Sequence, residues 1–70
     1  MGLYDYKMSQ ELDRLQPPFP SLIMAALRKA DDNNARLLRS CWPEIAHEMY
    51  LRYHTPGGLL PHEAAALPED

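Results

Sequence analysis

The residues with the greatest chemical reach lie between Cys41 and Glu63. Cys41, the only cysteine, stands just ahead of Pro43, and His47 follows on the next helical segment, the outline of a nucleophile and a base. A lone cysteine among Leu37, Leu38 and Trp42 has equally the setting of a small core residue, and that reading is favoured. Glu44-x-x-His47 has the i, i+3 spacing used by carboxylate-bridged metal bundles, but such sites need a second Glu-x-x-His and two further glutamates. His47 and His54 are about two helical turns apart, too far for one ion to take both easily. His47-Glu48 and His62-Glu63 do not form H-E-x-x-H. No catalytic residues, cofactor or metal ligands are assigned, and a non-enzymatic protein is expected.

Two other sets have the right types for recognition. Asn33, Asn34, Arg36 and Arg39 follow a short acidic turn, and Asn and Arg read adenine and guanine edges when a helix enters the major groove. That makes a helix-turn-helix-like DNA-binding regulator using residues 33–39 the alternative function. Against it, Asp31 and Asp32 would face the phosphates, and a solvated helix face with an N-cap is the favoured explanation. The second set is aromatic: Trp42, Tyr50 and Tyr53, with Arg52 between the tyrosines. Such residues are enriched where proteins meet proteins, so these four are the protein-interaction candidates.

Helices must position all of these side chains. Tyr4, Met8, Leu12 and Leu15 recur at spacings of four, four and three, which predicts a helix over residues 4–15 with one apolar face. Gln16-Pro17-Pro18-Phe19-Pro20 ends it, because each proline removes a backbone donor and pushes its predecessor towards an extended conformation. Phe19 is expected to plug the core; PPFP lacks the PxxP spacing of a proline-rich ligand. Leu22, Ile23, Ala26, Leu27 and Ala30 stripe a second helix over 20–30, expected to be the most buried. Asp31-Asp32-Asn33-Asn34 is a turn and an N-cap. A third helix over 33–41 turns Leu37, Leu38 and Cys41 inward. Trp42-Pro43-Glu44 restarts a fourth over 43–54, with Trp42 placed to pack back on Ala46, and Thr55-Pro56-Gly57-Gly58 stops it. In the tail, Pro61-His62-Glu63 and the alanines after it have the make-up of one or two helical turns, and residues 67–70 are expected to fray.

The expected fold is therefore all-α: a compact bundle of about four short helices in one domain, residues 1–58, with a partly ordered tail, residues 59–70. Seventy residues place it near the lower limit for a self-sufficient core, so close packing or self-association must make up the difference. Seven Lys/Arg against ten Asp/Glu give a net charge of −3, which argues against chain-wide attraction to nucleic acid. The positive balance is local: Arg28, Lys29, Arg36 and Arg39 outnumber Asp31 and Asp32. One cysteine fits a reducing compartment. The N-terminal residues have neither a signal-peptide pattern nor the Ser or Thr of a myristoylation motif, and no apolar run reaches membrane length. A cytoplasmic location in a bacterial host cell is expected.

One wider pattern supplies that host. Pro18, Phe19, Leu22 to Ala26, Ala30, Asp31, Asn34, Pro43, Glu44, Arg52, Tyr53, Pro56, Gly57 and Gly58 run through most of residues 4–61. Together they make a proline-aromatic linker, an LIMAA helix, an AD-x-x-N turn, a Pro-Glu helix start and an RY-x-x-PGG ending. This resembles a group of small hypothetical proteins of bacteriophages and prophages, in which phenylalanine is the usual residue where Trp42 stands here. The resemblance implies an origin and no mechanism. The expected function is a small protein-binding module, a phage or prophage accessory protein acting on a host protein, with an anti-CRISPR-like inhibitor as its specific version. The partner is a host or phage protein, a second copy of the chain is kept open, nucleic acid is less favoured, and no membrane is involved.

Overall fold

A computed structural model of the chain describes the backbone of residues 1–66 and the side chains of residues 1–63. The described backbone is helical and carries no strand. The order is α1 (Leu3–Arg14), α2 (Phe19–Lys29), α3 (Asp32–Cys41), α4 (Pro43–Tyr53), a 3₁₀ turn (Pro56–Gly58) and α5 (Pro61–Ala66). The four expected helices are all present, each within a residue of its expected ends. The tail adds α5, matching the expected one or two turns. The fraying expected at residues 67–70 lies outside the described residues.

The boundaries follow from local chemistry. The Asp5 carboxylate accepts the Gly2 N–H at 3.1 Å and holds the first turn of α1. Leu15 still has helical dihedrals, but Gln16 swings to φ 55°, the left-handed conformation that closes a helix C-terminus. Its N–H bonds the Asp13 carbonyl at 2.9 Å, and Pro17 cannot continue the helix. Pro18, with ψ 147°, leads into α2, whose first turn holds Phe19 and Pro20. Asp31 caps α3 by accepting the Asn34 N–H at 2.8 Å. Asp31→Ala is expected to lower stability by about 1 kcal/mol, read as a lower midpoint in a urea titration. Trp42 serves α3 and α4 together: its N–H bonds the Leu38 carbonyl at 2.8 Å, and its own carbonyl accepts the Ala46 N–H at 3.0 Å. Pro43 then sits at the first position of α4, where a missing N–H costs nothing.

Packing is confined to part of the chain. Helices α2, α3 and α4 pack against one another, and the 3₁₀ turn packs on α4. Among the described residues, α1 packs against no other element. The radius of gyration is 15.1 Å, against about 11 Å for a compact chain of this length. The principal extents are 49 × 28 × 16 Å. Only Ile23 on α2 and Ala46 on α4, 7% and 9% exposed, are buried among the described residues. Here the structure corrects the expected core. Leu37 and Cys41 on α3 do not turn inward into a closed interior but lie exposed along an open groove beside half-buried Leu38. Phe19 is not a core plug: it is exposed and stands edge-on to Trp42, ring centroids 5.7 Å apart. Because α1 does not pack on α2 and α3, no further helix among the described residues covers these faces.

Candidate functional site: the tyrosine groove of α4

Helix α4 sets Tyr50 and Tyr53 on one face, since residues three apart are neighbours on a helix. Both are exposed, at 61% and 72%. With Met49 and Ala46 of α4, Leu27 of α2, and Ala35 and Arg39 of α3, they line a groove of 220 Å³. His54 at the helix end joins them: its ring lies 4.4 Å from Tyr50 and 5.5 Å from Tyr53, centroid to centroid, tilted to the first and edge-on to the second. The result is a shallow apolar trough lined by two tyrosine rings and one guanidinium, with the His54 ring against the tyrosines. Tyrosine presents a large, stiff, amphipathic surface at low entropic cost, and Arg39 adds a cation able to form a bidentate bond with a carboxylate.

Trp42, the third aromatic candidate, is not part of this face. It stands at the opposite end of α4, about 12 Å from Tyr50 and about 16 Å from Tyr53 along the helix axis. There it lines the larger groove between α2 and α3, with Ala26, Lys29, Ala30, Asn34, Leu37, Leu38 and Cys41. The four interaction candidates thus divide: Tyr50 and Tyr53 together, Trp42 alone at the far end, and Arg52 turned to an internal task.

That task closes the C-terminal part of the chain. Arg52 donates from Nη1 to the Gly58 carbonyl at 2.8 Å and to Glu63 Oε1 at 2.7 Å, and from Nη2 to Glu63 Oε2 at 3.0 Å. Glu48, one turn earlier, lies 3.5 Å from Nε. The two-bond fork is the geometry in which guanidinium and carboxylate match best. Glu63 Oε1 also accepts the Leu60 N–H at 3.0 Å, so the same carboxylate caps the start of α5. Two glycines make the approach feasible: Gly57 and Gly58 have φ 66° and 70°, in the left-handed region. The Arg52 bond, followed by the Leu60 N–H, holds the Glu63 carboxyl at about 2, well below its ordinary 4.5. The Arg52 guanidinium is in turn raised, chiefly by its bond to Glu63. Sequence reasoning missed Glu63. The signal was present in Pro61 at a first helical position with a glutamate two residues on, where a carboxylate reaches back to a free N–H.

The DNA-reading set also divides. Asn33, Arg36 and Arg39 share one face of α3 with Asp32. Arg36 donates to the Asn33 side chain at 2.6 Å, so this pair is mutually engaged. Asn34 lies on the other side, in the α2–α3 groove, while its N–H is used by the Asp31 cap. Cys41, Glu44 and His47 are exposed. Among the described residues, no three His, Cys, Asp or Glu side chains converge as a metal set, and no helix is long and apolar enough to cross a membrane.

Set beside known proteins, the chain matches no family model, no curated protein and no solved structure.

Proposed function

We propose that the protein is a small non-enzymatic binding module that captures another protein through the tyrosine groove of α4. One observation carries the reading: Tyr50 and Tyr53 line an apolar trough from one face of α4 and stay exposed instead of closing over it. In a chain with so little buried apolar surface, rings left open in this way suit a partner's side chain better than they suit the fold. Arg39 at the trough rim and Arg36 beside it favour a partner segment that pairs an apolar or aromatic anchor with an acidic residue. The sequence resemblance supplies the setting: a phage or prophage accessory protein in a bacterial cytoplasm, acting on a host protein, with inhibition of a host defence system in the anti-CRISPR manner as its specific form.

Affinity capture from a bacterial host lysate tests it. The wild-type protein is expected to retain one partner in stoichiometric amount. Tyr50→Ala and Tyr53→Ala are each expected to weaken retention about tenfold, the order of a moderate hot-spot residue. Both variants keep the far-ultraviolet circular dichroism of the parent, because neither side chain is buried. Undiminished capture by both would remove the groove from the account.

A further inference from the structure

We propose that α1 docks into the α2–α3 groove of a second copy of this chain, so that two molecules form a dimer by reciprocal exchange of their N-terminal helices. This goes beyond the tyrosine-groove reading and uses a different surface. The first observation is area. The chain exposes 6187 Å², whereas a compact chain of 8.0 kDa exposes about 4500 Å². The excess, about 1700 Å², is of the size that each partner buries in an extensive homodimer interface.

The second observation is which described apolar side chains stand exposed. Tyr4, Met8, Leu12 and Leu15 form one face of α1, and all four are exposed, Tyr4 at 74% and Leu15 at 77%. A twelve-residue helix with such a stripe and no packing against another element among the described residues is marginal in water. It requires a receiving surface. The α2–α3 groove has a volume of 420 Å³ and a floor of small residues, Ala26 and Ala30, between the walls formed by Leu37, Leu38, Cys41 and Trp42. Small residues let a third helix approach closely, and α1 at about 18 Å matches the groove's two helices at about 15–17 Å.

Charge and chain direction agree. The flanks of α1 carry Asp5, Glu11 and Asp13 against Lys7 and Arg14, while Lys29 is the one charged residue lining the groove among the described residues. Among the described residues, α1 does not pack on its own groove. Gln16 is left-handed, Pro17 and Pro18 are stiff and Pro18 is extended, and Phe19 already stands edge-on to Trp42. Exchange of one element between identical chains gives a closed two-fold assembly in which the contact is made twice.

The test combines mass with thiol protection. Sedimentation equilibrium between about 1 and 500 µM is expected to show the 8.0 kDa chain passing to twice that mass. Over the same range, alkylation of the exposed Cys41 by N-ethylmaleimide should slow roughly tenfold as the groove fills. Leu12→Glu spoils the helix and leaves the groove, and Leu37→Glu does the reverse. Each alone should be monomeric with a fast-reacting Cys41. Mixed, they should form a heterodimer through the one intact helix and the one intact groove. A wild-type chain that stays monomeric, with Cys41 either open or protected at every concentration, overturns the proposal. So does a dimer whose Cys41 stays fully reactive, since that is pairing between two α1 helices. Failure of the mixture to associate while both variants remain folded also overturns it. If either variant unfolds, the wild-type mass and thiol measurements still decide.

Discussion

Ile23→Ala is expected to leave most of the molecules without their helical packing. Loss of a buried isoleucine to alanine costs about 2–5 kcal/mol, partly through transfer and partly through the cavity left behind. A domain of this size has roughly 3–5 kcal/mol of stability in all. Ile23 and Ala46 are the two buried residues among those described, one on each of the helices that meet at the centre. Among the described residues, no other buried apolar side chain stands behind them to relax into the gap. Ile23→Val, which removes one methyl group, should cost about 1 kcal/mol and keep the fold. Urea titrations followed by circular dichroism separate the two, at one fixed protein concentration because association shifts apparent stability. A midpoint for Ile23→Ala equal to that of Ile23→Val would show that the centre of the fold lies elsewhere.

Arg52→Ala is expected to release α5 and the turn before it while α2, α3 and α4 stay packed. The guanidinium is the common partner of the Gly58 carbonyl and the Glu63 carboxylate. Amide exchange at Leu60 and Glu63 should become roughly tenfold faster, the scale on which a charge-assisted bond discounted for partial exposure acts. Acid should do the same to the parent. Glu63 has a depressed folded-state value, about 2 against 4.5, so its contribution is whole above about 4.5. It is lost as pH falls from there through about 2. Glu63→Gln should abolish that pH dependence at Leu60 and leave exchange in α2 unchanged. Fast exchange spreading into α2 in Arg52→Ala would mean that the clamp supports the whole bundle.

How much of this was legible in the sequence depended on the range of the forces involved. Helix ends were, because Pro17, Asp31, Pro43 and Gly57 act within a turn of where they stand. The apolar stripe of α1 was legible too, as a pattern in Tyr4, Met8, Leu12 and Leu15. What covers the stripe was not, since periodicity says that a face needs a partner and nothing about whether the same molecule supplies one. For the same reason Leu37 and Cys41 were expected inside a bundle and lie in an open groove. The Arg52–Glu63 fork was hidden by distance along the chain: the two glycines that bring its ends together declare a turn but not its target. The grouping of Tyr50 with Tyr53 was legible from their spacing, and the separation of both from Trp42 follows from the length of α4.

The account rests on the tyrosine groove as the working surface, and one comparison tests it most directly. Wild-type protein and a Tyr50→Ala/Tyr53→Ala double variant, matched in circular dichroism and in sedimented mass, are used to capture protein from the same host lysate. The account predicts one stoichiometric partner held by the wild type and absent from the double variant. Equal recovery by the two, or no specific partner on either, would contradict it.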